Sequence, residues 1–365
     1  MIHKKHCLLP LLLLVGMVAC EKPEPGNDPV DSIPIRPGGD SAAVAMPHVL
    51  ILNEGLWGDN NASLSYLDLA TGTLENNWFS NRNGRGLGDL AQDLVVYGSK
   101  AYVTVSESGS LEAIDTATGL ATRVDLGSRY PRYIAAAGGK LYITCYRPRS
   151  VVCIDTASLA IEGTIALGDF NPEGIAAVAG KLLVASSNIS NTQGTYIFDN
   201  RLYVVDAASL AVDTTLVVGY NPQRVMAVDA SHAIVNYIGD YGSNGAGAAI
   251  VDLGTLEVRQ TGVGLTGMDV ADGQIYGYYT QWAADYSGKT TFFVRMDIAA
   301  GSSTPILTGE DIDAYAIGVH PVGGDIFVAD DGGYTSHGEL HCFAPDGTRR
   351  WHRDVGMLPS KIVFF

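Results

Sequence analysis

The chain has 365 residues, a formal net charge of −16 at pH 7 and 47% hydrophobic residues. Such an acidic surface repels the phosphates of nucleic acid and of anionic lipids, which argues against a nucleic-acid-binding protein. After its N-terminal segment the chain still has about 320 residues, which is large for one hydrophobic core unless the fold is modular.

Residues 1–19 predict a signal peptide. Lys4 and Lys5 give a basic start, and the apolar run 8–18 is short for a membrane span. The run ends in Met-Val-Ala-Cys (17–20), which resembles a bacterial lipobox with Met in place of the usual Leu. The resemblance implies cleavage before Cys20 and lipidation of that cysteine. An ordinary signal peptide followed by an incidental cysteine is the alternative.

Residues 20–46 predict a flexible tether, because Pro, Gly and acidic residues leave little to bury. A lysine and acidic residues directly after Cys20 resemble the surface-export signal of lipoproteins in gut Bacteroidetes. The resemblance implies a lipid anchor in the outer membrane and exposure on the cell surface.

Residues 47–365 contain a repeat that ends each time in a strand followed by a turn aspartate. The spacing is about 40 to 51 residues, with a seventh, degenerate copy at 341–347. A period of this length with four short strands per unit is typical of a β-propeller. The six clear copies end at Asp68, Asp115, Asp155, Asp206, Asp252 and Asp297. The sequence therefore predicts an all-β, seven-bladed β-propeller.

The two ends of this region predict how the ring closes. Residues 46–53 match the second strand of a blade that lacks a first strand, and residues 359–365 match a first strand with nothing after it. We expect the C-terminal strand to complete blade one, which removes two free sheet edges.

The second strands carry a family resemblance. Tyr-Val-Thr-Val (102–105) and Tyr-Ile-Thr-Cys (142–145) are similar to the Tyr-Val-Thr-Asn repeat of YncE-like propellers. The fourth position is held by Asn53, Ser186, Asn236, Tyr279 and Asp330, whereas Val105 and Cys145 depart from the repeat. We expect polar residues there to satisfy backbone groups at the turn, with ligand contact as the alternative.

The blades differ mainly in the loop after the second strand. It is short in blades two and three and long in the others, at 53–63, 187–200, 237–247, 280–291 and 331–338. In a propeller these loops and the loops between blades open on one face. The long loops are polar but hold several aromatic residues, which indicates a recognition surface unless the rings merely pack on one another.

From loop position we predict sixteen ligand-binding residues on that face. They are Trp57, Asn60, Arg85, Arg132, Phe170, Asn171, Tyr196, Tyr220, Arg224, Tyr237, Tyr241, Tyr279, Trp282, Tyr286, Asp330 and Tyr334.

Catalytic and metal motifs are sparse. The sequence has neither a Gly-x-Ser-x-Gly elbow nor a His-Glu-x-x-His zinc helix. His337 and His341 are four apart in a loop-to-strand region, where we expect no metal site. Cys145 and Cys153 lie on the two arms of one predicted hairpin; we expect two small buried hydrophobic residues there, with a disulfide as the alternative.

Residues 52–65 and 86–93 resemble the surface lipoprotein propellers of Bacteroidetes, whose best-understood members are the BtuG-like proteins. The resemblance implies capture of cobalamin on the loop face and a position over the mouth of a TonB-dependent outer-membrane transporter. It implies neither an enzyme nor a required cofactor. The alternatives are a lactonase-like propeller enzyme with a metal in the central channel, and an adhesion protein whose loops bind a protein or a glycan.

Overall fold

The computed structural model describes residues 46–190, 195–283, 288–299 and 302–365. Seven four-stranded antiparallel sheets follow one another along the chain and surround a central channel. The predicted seven-bladed β-propeller is therefore confirmed. Cys20 and the predicted signal and tether lie outside the described residues, apart from Met46. The described part contains no helix that is both long enough and apolar enough to cross a membrane.

The strands are numbered in chain order. Those of blades one to three are β1 (His48–Asn53), β2 (Ser63–Asp68), β3 (Thr73–Glu75), β4 (Ala91–Tyr97), β5 (Lys100–Val105), β6 (Ser110–Asp115), β7 (Ala121–Asp125), β8 (Pro131–Ala137), β9 (Lys140–Tyr146), β10 (Arg149–Asp155) and β11 (Ile161–Ala166). Those of blades four and five are β12 (Pro172–Val178), β13 (Lys181–Ser186), β14 (Asn188–Ser190), β15 (Tyr196–Phe198), β16 (Arg201–Asp206), β17 (Val212–Val217), β18 (Pro222–Ala227), β19 (His232–Tyr237), β20 (Gly247–Asp252) and β21 (Val258–Gln260). The remaining strands are β22 (Gly267–Ala271), β23 (Gln274–Trp282), β24 (Lys289–Asp297), β25 (Ser302–Ile306), β26 (Ala314–Val319), β27 (Ile326–Asp330), β28 (Glu339–Phe343), β29 (Arg349–Asp354) and β30 (Pro359–Phe364).

Within the described ranges, helical structure is confined to short connections. A six-residue helix, α1 (Trp78–Asn83), lies between blades one and two, and single 3-10 turns occupy Gly127–Arg129 and Gly332–Tyr334. Strands β14 and β15 form a small extra hairpin inside the long loop of blade four.

The hydrophobic core lies between the blades. In β1, Leu50 and Leu52 pack with Leu94 and Val103 of blade two. Their neighbour Ile51 faces the other way and packs against blade seven. Because each sheet is covered on both faces, its inner strands read as continuous apolar runs instead of alternating with polar residues.

The repeated aspartate is a turn residue. Asp155 Oδ1 accepts hydrogen bonds from the backbone N–H groups of Ala157 at 3.1 Å and Ser158 at 2.7 Å. Asp115 and Asp252 do the same for their own turns. The hydroxyl groups of Thr118 and Ser158 also donate to Asp115 and Asp155, and these bonds together with the backbone bonds lower the pKa of each of the three carboxyl groups. The period in the sequence thus marks the turn between the third and fourth strands of each blade.

The ring closes as predicted. β30 lies innermost in blade one and pairs antiparallel with β1, with Ile362 opposite Ile51. The backbones of His48 and Phe365 exchange hydrogen bonds of 3.1 and 2.9 Å at the end of this pair. Met46 lies beside them, where its carbonyl is 3.2 Å from Nε2 of His320 in the first loop of blade seven. Both ends of the described domain therefore lie on the face opposite the long loops.

Cys145 and Cys153 are free and buried, which confirms the interpretation as small hydrophobic residues. Cys145 is opposite Ser150 and Cys153 is opposite Tyr142, so the two thiols are not a cross-strand pair. Burial raises the pKa of Cys145 to about 12, so its thiol is protonated at neutral pH.

Ring closure predicts a large difference between two identical substitutions. The side chain of Ile362 in β30 is 6% exposed and that of Ile161 in outer strand β11 is 41% exposed. Ile362→Ala should lower the free energy of unfolding by roughly 2–5 kcal/mol, the range for a buried isoleucine, and Ile161→Ala by well under half of that. Urea unfolding followed by fluorescence measures both. An equally small loss in the two variants would mean that β30 does not carry the closure.

Candidate functional site

The long loops all project from the same face of the propeller, which is called the loop face here. It consists of the loops after the second strand of each blade and the loops that join blades. Blade six departs from the prediction, because residues 280–282 and 289–291 of the predicted loop 280–291 extend β23 and β24 and pair with one another. This ribbon projects from the loop face, since it continues the strands that end there.

Exposed aromatic side chains of the described residues lie on this face. They are Trp57, Tyr196, Tyr220, Tyr241, Trp282, Phe292 and Tyr334, the first and fourth being more than 70% exposed. The exposed large hydrophobic residues of the opposite face are aliphatic, such as Leu120 and Val322. Exposed hydrophobic side chains that are concentrated on one face mark an interaction surface more often than scattered single residues do. The asymmetry therefore favours the loop face as the recognition surface.

Some of these rings also order the loops. Phe198 lies 6.2 Å from Tyr196 and 5.7 Å from Tyr241, measured between ring centroids, and so joins the loops of blades four and five. Tyr334 packs edge-on against Tyr315 at 5.8 Å. Some of the rings therefore pack on one another, as the alternative interpretation expects, and still expose large surfaces to solvent.

The first residues of the inner strands form the mouth of the channel. In six blades the pairing between the first and second strand shifts at this point, for example between Pro131 and Ile134 and between Pro172 and Ile175. A β-bulge bends its strand and redirects side chains. In a regular strand, successive side chains would alternate between the two faces of the sheet and point between the blades. The bulges instead direct some polar side chains to the channel mouth.

A buried network of hydrogen bonds crosses this mouth. Arg132 lies 3.2 Å from the Glu173 carboxylate and also donates to the side chain of Gln92. Tyr146 donates its hydroxyl to the same carboxylate, and its ring lies 4.8 Å from the Arg132 guanidinium. Glu173 is 3% exposed, so the cation and the hydroxyl replace its lost hydration. Arg132 is therefore a channel residue and not the rim residue that loop position suggests.

Two further carboxylates of the mouth are also paired. Tyr315 donates its hydroxyl to Glu54 Oε2 at 2.7 Å, and Lys361 Nζ lies 3.2 Å from Asp93 Oδ1. Burial raises the pKa of Glu54, while the Tyr315 hydrogen bond and the nearby Arg132 and Arg224 act in the opposite direction.

Arg224 is the cation of the mouth with donors to spare. Its backbone N–H donates to Asn236 Oδ1 at 2.7 Å, and its guanidinium lies 5.6 Å from the Tyr133 ring. Among the described residues no carboxylate forms an ion pair with this guanidinium and no acceptor hydrogen-bonds to it. Its guanidinium lines the channel, and its N–H donors have no acceptor among the described residues.

Two cavities flank the channel on the loop face. One of about 360 Å³ lies between blades seven and one and is lined by Asn60, Asn61, Asn76 and Asn77 above the ring of Phe79. The other, of about 650 Å³, lies between blades three and four beside Arg147 and Asn171. Amide groups over an apolar floor can bind a neutral polar ligand.

Several predicted site residues have structural partners. Arg85 binds Glu112, a fully buried carboxylate that it shares with Arg123, at 2.7 and 2.6 Å respectively. Tyr237 donates its hydroxyl to Gln260 at 2.6 Å, and Tyr279 stacks on Phe292 at 5.1 Å.

Three of the polar residues in the fourth position of the second strands have the backbone role expected of them, whereas Ser186 donates to the Asp199 carboxylate. Asp330 accepts hydrogen bonds from the N–H groups of Asp313 at 3.0 Å and Gly332 at 2.8 Å. Asn236 bonds the Arg224 N–H and the Leu265 carbonyl, and so joins blades five and six. Asn53 likewise accepts from Gly356 at 3.1 Å.

The other predicted residues lie on the loop face. Phe170 lies 5.7 Å from the Arg201 guanidinium, and Asn171 accepts a hydrogen bond of 3.1 Å from Arg149. Tyr286 lies outside the described residues. Glu54, Tyr133, Glu173, Tyr315 and Lys361 of the mouth are not among the sixteen predicted ligand-binding residues.

The channel wall predicts a pH dependence of stability. Asp269 lines the channel with Arg224 and Lys361, and burial raises its pKa from 3.8 to about 6. Its contribution to stability is complete below its unfolded pKa and is lost as the pH rises through 6. Asp269→Asn should therefore gain stability relative to wild type between pH 4 and pH 7.5, by up to about 3 kcal/mol at about 1.4 kcal/mol per pKa unit.

Urea unfolding of wild type and variant at both pH values measures this difference. Asp252→Asn is the control, because turn hydrogen bonds lower the pKa of Asp252. The contribution of such a carboxylate is complete above its unfolded pKa, so the difference between this variant and wild type should stay nearly constant from pH 4 to pH 7.5. A constant difference for Asp269→Asn would contradict the assigned protonation.

The comparisons with known proteins agree with the fold. Residues 48–199 match a family model described as "Domain of unknown function (DUF5074)". A search of curated proteins found no significant match. The chain is similar to a quinoprotein alcohol dehydrogenase-like protein of Bacteroides thetaiotaomicron, with 14% identity, a TM-score of 0.64, and coverage of 86% of this chain and 77% of that one.

Two further solved structures have similar scores. Hydrazine synthase of Kuenenia stuttgartiensis is 17% identical over 72% of this chain and 85% of that one, with a TM-score of 0.59. The WD40 domain of Neurospora crassa Pan2 is 7% identical over 73% and 79%, with a TM-score of 0.54. At these identities the similarity to the solved structures concerns the fold alone. The chain is therefore a seven-bladed β-propeller whose first part, residues 48–199, matches the DUF5074 model.

Proposed function

We propose that this chain is a non-enzymatic binding protein that captures a corrinoid such as cobalamin on its loop face. One observation carries the proposal: the exposed aromatic side chains of the described residues lie on that face or on its projecting ribbon. In this proposal a lipid on Cys20 anchors the protein in the outer membrane, exposed at the cell surface. The ligand then passes to a TonB-dependent transporter.

The chemistry of the face suits such a ligand. A corrinoid has a broad ring with apolar faces, an edge of amide side chains, and a phosphodiester. Trp57, Trp282 and Tyr241 offer ring surfaces, and the Arg224 guanidinium offers donors for amide or phosphate oxygen. Each ring has only two rotatable side-chain bonds, so little conformational entropy is lost on contact.

The channel mouth supports binding across the face instead of deep within the ring. Arg132, Gln92, Glu173 and Tyr146 bond to one another across the mouth. The part of the channel that reaches Asp93, Tyr133 and Arg224 holds about 230 Å³, which is less than most pockets for large ligands. Because this surface is already fixed, binding of a ligand to it would cost little free energy for reorganisation of the protein.

A metal-dependent enzyme in the channel has less support. Glu54, Asp93 and Glu173 each have a cation or a tyrosine hydroxyl as partner. In the described ranges, three metal-ligating side chains come together in the outer strands of blade seven and not at the channel. An adhesion protein would use the same aromatic face, so ligand binding has to separate it from the proposal.

Titration of the purified protein with cyanocobalamin tests the function directly. We expect a saturable heat signal and a change in the corrin absorption spectrum at micromolar ligand. If neither appears at that concentration, the corrinoid proposal is wrong. Protein that binds a glycan array and leaves cyanocobalamin free would support adhesion instead.

The aromatic face predicts the outcome of three alanine variants. Trp57→Ala and Trp282→Ala should each weaken cyanocobalamin binding about tenfold or more, because central aromatic contacts typically contribute more than about 1–2 kcal/mol. Leu120→Ala removes an exposed hydrophobic residue of the opposite face and should leave the affinity unchanged. Calorimetry gives the affinities, and urea midpoints equal to wild type show that the variants are folded. Unchanged affinity in both tryptophan variants would move the site away from these loops.

A further inference from the structure

The outer strands of blade seven bring together two histidines and a glutamate. Glu339 and His341 are two residues apart on β28 and therefore lie on one side of the sheet. His352 on β29 is directly opposite His341. One potential ligand atom from each of these three side chains lies within 4.8 Å of the other two. This group lies away from the channel mouth and is independent of the proposed ligand site.

The buried histidine of this group has an unused nitrogen. His341 is 5% exposed, and its Nε2 atom is buried without a hydrogen-bond partner. That atom is directed to the cluster, 3.7 Å from Glu339 Oε2. A buried polar atom that lacks a partner is destabilising and rare in folded proteins, so such a position calls for an explanation.

The remaining distances suit a metal ion. His352 Nδ1 lies 3.3 Å from the same Glu339 Oε2, and the two imidazole rings are nearly parallel at 16° with centroids 5.7 Å apart. Zinc binds nitrogen and carboxylate oxygen at about 2.0–2.2 Å, so neighbouring ligand atoms in a tetrahedral site lie about 3.3–3.6 Å apart. Two imidazoles and one carboxylate are a typical donor set for zinc with an open fourth position.

We propose that Glu339, His341 and His352 bind one Zn²⁺ ion, with His341 Nε2, His352 Nδ1 and a Glu339 carboxylate oxygen as ligands. Glu339 and His352 are partly exposed, so the ion reaches the site from solvent. The fourth position is then open to water or to a donor from outside the chain.

Arg349 competes with the metal. Its Nη1 atom lies 3.0 Å from His341 Nδ1, and its guanidinium also binds Glu310. Arginine only donates, so this contact makes Nδ1 the acceptor and leaves the ring hydrogen on Nε2. When zinc takes the lone pair of Nε2, the hydrogen moves to Nδ1 and Arg349 releases that contact. The Arg349 guanidinium remains bound to Glu310. The carboxylates of Glu339 and Asp330 are the acidic groups near the His341 ring.

The competition gives a distinctive test on the untagged full chain. Zinc is titrated calorimetrically, and Co²⁺ replaces it to report a tetrahedral site by visible absorption. Wild type should bind one zinc ion per chain at this site. Glu339→Gln and His352→Ala should each weaken zinc binding by about tenfold or more, because loss of a metal ligand costs at least as much affinity as loss of a supporting residue. Arg349→Met removes the guanidinium, which lies 5.3 Å from the centre of the Phe343 ring, and keeps an unbranched apolar side chain, so it should tighten zinc binding.

His232→Ala is the matched control. His232 contacts Asp229 at 2.8 Å on the surface of blade five but does not belong to a three-ligand group in the described ranges. Its loss should leave the zinc stoichiometry and affinity unchanged. The site is overturned if wild type and His352→Ala bind zinc equally, or if Arg349→Met binds it more weakly than wild type. Because these readouts do not involve a corrinoid, they stand whatever the outcome for the loop face.

Discussion

Every sheet of this propeller depends on burial of both its faces by its two neighbours. Leu50 and Ile51 are consecutive in β1, yet one is buried against blade two and the other against blade seven. A blade at the end of an open row would expose one of these surfaces to water. Pairing of β30 with β1 removes that end, so the burial of all seven sheets rests on contacts between residues more than 300 positions apart. Contacts of such separation are costly to form in entropy and are rewarded only when the ring is complete.

The same architecture provides a fixed platform for recognition. The inner strands start at the channel mouth, where the chain is irregular: Leu90, Tyr130, Asn221 and Leu358 have positive φ just before their strands. A positive φ is unfavourable for residues other than glycine, so the surrounding contacts must hold these four residues in that conformation. Thr104 and Thr144 add hydrogen bonds from the second strand to the backbone of the bulges at Asp93 and Tyr133. The scaffold thus fixes the positions of the side chains at the channel mouth. The long loops form the part of the surface that differs between blades.

The sequence was sufficient for the architecture because the features that define it are local and repeated. A turn aspartate every 40 to 51 residues and the unmatched strands at each end determine the blade count and the closure. The partners of site residues were harder to predict, because they come from neighbouring strands and blades. Arg85 was assigned to the ligand, yet it binds Glu112, which the sequence presents only as one residue of a strand. Likewise, His341 was considered with His337 along the chain, whereas its partner is His352 across the sheet.

The position of the chain ends has a practical and biological consequence. Met46 and Phe365 lie on the same side of the propeller, beside His48 and His320 and opposite the exposed rings. The points at which the described domain begins and ends therefore lie on the face opposite the aromatic surface. Immobilisation of the domain by one terminus, on a membrane or on a sensor chip, would present that surface outward and keep its full diameter open to a large approaching partner.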